Sequence, residues 1–157
     1  MIKKLLIILF ISQLLLSCGF TPSLKMSDKD ESSPNVYFEI KDNSYIVRQT
    51  LSTIVKNIDE TEAKYVTKVN VSESQSAVNI QSNGTVDEYK IEILINFQII
   101  DLENNDLIYK SQSRGFANYD VSSSEYTNSL VKKEALKAAI TDAAQLMNIM
   151  VQSKINK

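Results

Sequence analysis

Residues 88–100 read EYKIEILINFQII, and this stretch decides the fold. Every second side chain in it is apolar, while the positions between are mostly polar. This alternation has the period of a β-strand with one buried face and one solvated face. A sheet built around such a strand needs a cover on its apolar face only, which predicts a two-layer domain. The apolar set comprises Tyr89, Ile91, Ile93, Ile95, Phe97 and Ile99, and the opposite set includes Lys90, Glu92, Asn96 and Gln98.

The segments around this strand predict its partners in the sheet. Asn83-Gly84 precedes it and is a strong turn signal, and residues 101–106 follow it as a hairpin loop. Residues 107–118 are expected to return as a partner strand. The same alternation predicts two strands upstream, at residues 36–40 and 65–71. Residues 72–81 are more polar and fit either a continuation of the second strand or a loop.

Two amphipathic helices are predicted to cover the sheet. The first follows residues 42–44 and runs for about four turns, with one apolar face. The second begins at a capping box formed by Ser122 and Glu125 and extends to about Val151. The inner face of the first helix comprises Val47, Leu51, Ile54, Val55 and Ile58. The inner face of the second comprises Tyr126, Leu130, Leu136, Ile140, Ala143, Ala144, Met147 and either Met150 or Val151.

The order of these elements predicts the fold class. A strand, a helix, two or three strands and a final helix indicate an α+β two-layer sandwich. Its mainly antiparallel sheet of about four strands is covered on one face by the two helices, and the other face is polar and open. Ile93 and Ile95 are expected to face the C-terminal helix.

Composition excludes several classes of protein. The chain has 157 residues, with 17 Lys and Arg against 19 Asp and Glu, and its formal net charge of −2 indicates no nucleic-acid partner. Histidine is absent, which argues against a zinc site and against a serine–histidine triad. Residues 35–157 are of a size to form one domain with a real core.

The N-terminus has the parts of a secretory signal. Lys3 and Lys4 precede a short apolar run that ends at Leu16 and is too short for a permanent membrane span, which needs about 20 residues. We therefore expect a signal peptide at residues 1–17. Residues 18–34 are polar and charged, and we interpret them as a flexible tether.

Leu15-Leu16-Ser17-Cys18 resembles the lipobox of bacterial lipoproteins, in which the cysteine is lipidated and becomes the new N-terminus. The alternative is an ordinary signal peptide followed by an incidental cysteine. Gly19 stands where an Asp would favour the inner membrane, so the resemblance predicts an anchor in the outer membrane.

Catalytic motifs are weak in this sequence. Ser129-x-x-Lys132 matches a short serine acyl-enzyme pattern but lies in the predicted C-terminal helix without its companion motifs. The acidic residues at 101–106 resemble a calcium loop only briefly, because Asp106 stands where a glycine is required. We find no nucleophile with a base, no metal cluster and no phosphate loop, and we expect a binding or assembly protein rather than an enzyme, with no cofactor.

Five stretches of the sequence carry a family resemblance: 16–22 (LSCGFTP), 83–89 (NGTVDEY), 96–101 (NFQIID) with Leu107, 114–119 (RGFANY) and 143–146 (AAQL). Taken in this order, they resemble the LPS-assembly lipoprotein family LptE, the small partners of the outer-membrane barrel LptD. The family commonly passes directly from its Pro-Leu-Tyr start into the domain, whereas Pro22-Ser-Leu24 here opens a polar tether.

This resemblance implies a function without catalysis. Members of the family sit largely inside the LptD barrel, form a heterodimer with it, support its assembly and bind lipopolysaccharide (LPS). Lys90, Lys110 and Arg114 are predicted to point outward from adjacent strands, where they are candidates for contacts with LPS phosphates. The alternative for each of them is ordinary solvated charge. A rival function for the whole chain is that of a periplasmic auxiliary lipoprotein of a lipid or solute transporter.

Overall fold

The computed structural model describes residues 35–42 and 44–156. It contains a four-stranded sheet with the order β1-β2-β3-β4, in which β1 runs parallel to β2 and the other neighbours are antiparallel. The predicted signal peptide, Cys18 and the tether lie outside the described residues. The strands are β1 (Val36–Lys41), β2 (Tyr65–Ile80), β3 (Val86–Asp101) and β4 (Asp106–Asp120).

Two helices cover one face of this sheet, which confirms the predicted α+β architecture. Helix α1 spans Tyr45–Ile54, and helix α2 spans Glu125–Ile155, a length of roughly 46 Å at ~1.5 Å per residue. A short 3₁₀ turn at Glu60–Glu62 leads into β2. Helix α2 packs against β3 and β4, and α1 packs against α2. Within the described part of the chain, neither helix is long and apolar enough to cross a membrane.

Strand β3 forms the centre of the core, as its alternation predicts. Ile91, Ile93, Ile95 and Ile99 are completely buried, and Phe97 is 1% exposed. Helix α2 contributes Leu136, Ile140, Met147 and Val151 from the other side, together with four buried alanines. The apolar alternation of one strand therefore predicts the core correctly.

Helix α2 crosses β4 at unusually close range. A Cβ atom added to Gly115 would overlap the carbonyl oxygen of Ala139 and lie 2.7 Å from the backbone nitrogen of Ala143. The small side chains of α2 at this crossing allow its backbone to approach the strand. Gly115 is therefore required here by the close approach of two backbones.

The prediction that α1 continues to Ile58 is wrong, because the helix ends at Ile54 and Val55 is extended, with ψ 116°. Its last turn is rich in β-branched residues, which are poor helix formers. Asn57 then bonds to the free edge of β1. Its Oδ1 accepts from the Phe38 N–H at 2.7 Å and its Nδ2 donates to the Phe38 carbonyl at 3.3 Å. These bonds favour an extended path over another helical turn.

Residues 72–81 fit either a strand or a loop by sequence, and the structure shows that 72–80 continue β2. They pair with β3 across the turn at Asn83-Gly84. Gly84 has φ 85°, in the left-handed region that a glycine adopts easily, and its N–H donates to the Gln81 carbonyl at 2.9 Å. The turn therefore joins β2 and β3, which have 16 residues each.

The predicted start of the C-terminal helix is wrong by two residues. Ser124 is the N-cap, and its Oγ accepts from the Thr127 N–H at 3.3 Å. Ser122 is held by Asn128 instead, whose Oδ1 accepts from the Ser122 N–H at 2.7 Å. The backbone of Ser122 is therefore engaged outside the helix, and no Ser122–Glu125 capping box forms.

The first turns of α2 also differ from the predicted inner face. Tyr126 is 80% exposed and Leu130 is 50% exposed, so neither belongs to the core. The buried face begins at Ala135, where the helix lies over β4. An amphipathic pattern indicates which face of a helix is apolar. It does not indicate at which residue the helix begins to lie over the sheet.

Candidate ligand-binding face

The face of the sheet that points away from the helices is its open face. Alternation along each strand places a second set of side chains opposite the buried ones. The set contains neutral polar side chains, charged side chains of both signs and several apolar side chains such as Leu94 and Phe116. They include Glu39 and Lys41 of β1, Lys68, Asn70, Ser72, Ser74 and Ser76 of β2, Lys90, Glu92, Asn96 and Gln98 of β3, and Lys110, Gln112, Arg114 and Asn118 of β4.

The three sequence-predicted candidates all lie on the open face but do not converge. Lys90 pairs with Asn118 at one end of the β3–β4 ladder, and Lys110 pairs with Gln98 towards the other end. Arg114 lies midway, so each step between candidates is roughly 13 Å along the strands. A single phosphate group cannot contact all three side chains.

Two of these candidates already have partners within the protein. The Lys90 Nζ lies 4.1 Å from the centre of the Phe116 ring. The Arg114 Nη1 lies 3.8 Å from the Glu92 Oε1 in a solvent-accessible ion pair. Such a surface pair contributes at most about 1 kcal/mol to folding, but it reduces the local positive charge. The third candidate, Lys110, has neither an ion pair nor an aromatic ring as a partner among the described residues.

Lys110 lines a shallow cavity of about 400 Å³ together with two lysines that the sequence reasoning missed. We call Lys41, Lys68 and Lys110 the lysine corner. Asn70, Asn96 and Gln98 line the same cavity. Lys68 occupies an outward position in the alternation of residues 65–71, so the sequence pattern alone predicts that its side chain is exposed. Its proximity to Lys110 depends on the register of three strands.

The charges around the lysine corner are predominantly positive. Glu39 is the carboxylate closest to it in the register, and its Oε1 lies 3.2 Å from the Lys41 Nζ. Among the residues that the structure describes, Lys68 and Lys110 form no ion pair. Two of the three ammonium groups therefore remain available to an anionic ligand.

Tyr119, on the helix-covered side of the sheet, has a shifted pKa. Burial raises the pKa of the Tyr119 hydroxyl, nearby Tyr89 adds to the effect, and the hydrogen bond from Gln75 opposes it. The Gln75 Nε2 donates to the Tyr119 hydroxyl oxygen at 2.9 Å on the helix-covered side. Ser129 and Lys132 are both exposed on α2. Residues 35–42 and 44–156 hold no group of three side chains able to bind a metal ion.

Comparison with known proteins gives one family and several similar folds. The family model described as LptE, lipopolysaccharide-assembly, matches residues 35–149. No curated protein matches the chain.

Three solved structures share the fold at low sequence identity. The minor lipoprotein of Acinetobacter baumannii is 18% identical with a TM-score of 0.59, and the match covers 80% of this chain and 93% of that one. Rare lipoprotein B of Shewanella oneidensis is 14% identical with a TM-score of 0.56, covering 77% of this chain and 96% of that one. Lipoprotein B of Nitrosomonas europaea is 15% identical with a TM-score of 0.57, covering 76% and 81%.

Proposed function

Because the chain belongs to the LptE family of lipopolysaccharide-assembly lipoproteins, we propose that it is the small partner of an LptD-like outer-membrane barrel. In this role it forms a heterodimer with the barrel, supports barrel assembly and binds LPS on its way to the cell surface. The family is not enzymatic, and we propose that this chain has no catalytic activity either. The observation that carries the proposal is the family match over residues 35–149.

The surface of the domain supports this role. The lumen of a membrane barrel is polar, so a protein lodged in it needs a packed core and a hydrogen-bonding exterior. The open face presents serine, asparagine and glutamine side chains over much of its area, such as Ser74, Asn96 and Gln112, and all three are exposed. These groups can exchange hydrogen bonds with water for hydrogen bonds with a polar lumen wall.

LPS binding is the second part of the proposal. The phosphates of LPS are natural partners for Lys and Arg side chains. Lys90, Lys110 and Arg114 remain candidates because all three are on the open face. Since Lys90 lies over Phe116 and Arg114 pairs with Glu92, we expect Lys110 to contribute most of the three.

The partner can be tested by cross-linking in cells. We expect a photoreactive residue at Ser74 or Asn96, both exposed on the open face, to form an adduct with an integral outer-membrane barrel after irradiation. Purification in mild detergent, followed by mass spectrometry, identifies the partner. A photoreactive residue at the buried Ile95 provides the control and should give no such adduct. An adduct with an inner-membrane permease, and none with a barrel, would instead support the transporter-auxiliary role.

The membrane anchor gives a separate prediction. We propose that Cys18 is lipidated and holds the protein at the periplasmic side of the outer membrane. The Cys18→Ala variant is then expected to accumulate as an unprocessed or mislocalised precursor, because alanine has no sulfur to carry the lipid and the protein loses the acyl chains that anchor it. Mass spectrometry of the mature N-terminus and membrane fractionation provide the measurement. An unlipidated N-terminus at another residue would contradict the anchor.

A further inference from the structure

We propose that the outer edge of β4 binds an extended segment of another polypeptide as an additional strand of the sheet. In this segment, acidic side chains alternate with small apolar ones. The acidic side chains lie on the open face beside Lys110 and Arg114, and the apolar ones enter a groove between β4 and α2. The inference goes beyond the proposed function, because it requires neither a barrel nor LPS.

Strand β4 lies at one edge of the sheet, with part of its backbone directed outward. The Val121 N–H donates to the Asp87 carbonyl at 2.8 Å, so residue 121 bonds towards β3. Because this direction alternates along an antiparallel strand, the even-numbered residues from Lys110 to Asn118 direct their N–H and C=O groups away from β3. Within residues 35–42 and 44–156, no backbone or side-chain group bonds to them. Such a row of donors and acceptors is the template that strand addition uses.

The other edges of the sheet are less suited to strand addition. Strand β1 has six residues, and Asn57 already bonds to both backbone groups of Phe38 at its free edge. Residues 72–80 of β2 extend beyond β1, but their register with β3 shifts near the turn. Short strands, covered groups and bulges are common protections of an edge. Strand β4 has an unbroken register from Tyr109 to Asp120 and contains no proline.

A groove of about 560 Å³ separates the end of β4 from the first half of α2. Because side chains alternate between the two faces of a strand, every second residue of an added strand points to the helix-covered side, where the groove lies. Glu134 also lines the groove, but its Oε1 accepts from the Lys137 Nζ at 2.9 Å, and Asp120 lies at the end of β4. The apolar and aromatic lining consists of Leu130, Val131, Ala135 and Ala138 of α2 and Ala117 and Tyr119 of β4. Small apolar side chains suit this lining.

The charges along β4 favour an acidic occupant. Between Leu107 and Tyr119, the charged residues of β4 are Lys110 and Arg114. Opposite charges on neighbouring strands attract, and like charges repel. Arg114 is held by Glu92 only at 3.8 Å and in contact with solvent, so a closer carboxylate can compete for it. A second copy of this chain would bring two more positive charges to the same face, so we expect a different polypeptide.

The experiment measures peptide binding to the full chain in mild neutral detergent by fluorescence anisotropy. The probe is a labelled peptide that alternates Glu and Val. One control peptide has the same composition with all Glu before all Val, and another alternates Lys and Val. We expect the Glu–Val probe to bind at least about tenfold more tightly than either control, because only it combines the alternation with acidic charge. Equal affinity for the block peptide would overturn strand addition, and equal affinity for the Lys–Val peptide would overturn the acidic chemistry of the occupant.

A proline variant tests the backbone bonds. Asn118→Pro removes an outward N–H without removing a bond to β3, a change that an edge strand tolerates. We expect it to weaken binding of the Glu–Val probe about tenfold or more, whereas Asn118→Ala should stay within about twofold of wild type. Both variants lose the hydrogen bond from the Asn118 Nδ2 to the Glu88 Oε1, so the comparison isolates the backbone. Wild-type affinity in Asn118→Pro, with an unchanged circular dichroism spectrum, would overturn the proposal.

Hydrogen exchange gives the same test without a mutation. Saturation with the Glu–Val probe should slow amide exchange in β4 about tenfold or more, because the outward N–H groups become bonded, and should leave α1 unchanged. Unchanged exchange in β4 at saturation would overturn strand addition.

Matched variants test the charges and the groove. Lys110→Gln with Arg114→Gln is expected to weaken binding of the probe about tenfold or more, and higher salt should also weaken wild-type binding. Arg48→Gln with Lys56→Gln makes the same change at exposed positions in and just after α1 and should leave binding unchanged. Ala138→Gln places a larger side chain at an exposed position of the groove and should weaken binding several-fold. Equal losses in the two double variants would assign the effect to overall charge and overturn the site.

These outcomes are separable from those of the proposed function. A chain that forms barrel adducts but binds the Glu–Val and block peptides equally would retain its function and lose this site. A chain that binds the Glu–Val probe through β4, but forms no barrel adduct, would retain the site and lose the proposed partner. Sedimentation without peptide tests the remaining occupant. A dimer that Asn118→Pro dissociates would show that a second copy pairs with β4, and would overturn the acidic partner.

Discussion

Replacing Gly115 with alanine is expected to destabilise the domain by about 3 kcal/mol or more. The added Cβ would overlap the carbonyl oxygen of Ala139 and approach the Ala143 nitrogen to 2.7 Å. Both are backbone atoms, so the clash cannot be relieved by rotating a side chain. Either α2 must move away from β4 or the strand must bend. Urea denaturation followed by circular dichroism gives the free energy of unfolding.

Gly84 provides the control, since it tests a different requirement for glycine. It has φ 85°, but no atom lies within 4 Å of an added Cβ. Gly84→Ala should therefore cost only the backbone strain of the left-handed conformation, roughly 1–2 kcal/mol. Adding Ala139→Gly to Gly115→Ala should give no rescue, because the overlap is with the backbone of residue 139. A rescued double variant would mean that side-chain crowding, rather than backbone approach, decides this contact.

Replacing Ile95 with alanine is expected to cost roughly 2–5 kcal/mol of folding stability. Ile95 is fully buried on β3, so the change removes apolar contacts and leaves a cavity under α2. Denaturant unfolding with an unchanged slope would assign the loss to the folded state.

Glu92, three residues earlier on the same strand, is the matched control on the open face. Its only ion pair in the described region is the solvent-accessible one with Arg114, at 3.8 Å. Glu92→Ala should therefore change the free energy of unfolding by less than about 0.5 kcal/mol. Similar losses for Ile95→Ala and Glu92→Ala would show that both faces of the sheet are buried, which contradicts an open binding face.

The helix ends show where local sequence stops being informative. The apolar spacing of Val47 and Leu51 correctly predicts the buried face of α1, but it does not predict the end of the helix at Ile54. Asn57 leaves the helical path to bond with Phe38, which is 19 residues earlier in the chain. Asn128 similarly holds Ser122 and moves the N-cap of α2 to Ser124. In both cases a side chain from outside the local pattern competes for a backbone group.

The binding face shows the same limit over longer distances. Alternation alone places Lys68, Lys90, Lys110 and Arg114 on outward positions. It cannot show that Arg114 is paired with Glu92, or that Lys110 shares a cavity with Lys41. Both facts depend on which residues of different strands lie side by side.

The sequence by itself determined the strand periodicity, the apolar face of β3, the α+β class and the family resemblance. These properties follow from side chains a few residues apart, because the period of a strand or helix decides which of them share a face. Only the tertiary structure decided where the helices end, why Gly115 must lack a side chain and which lysines form the corner. The reason is physical: strand register and helix crossing place residues dozens of positions apart in contact, and no local period carries that information.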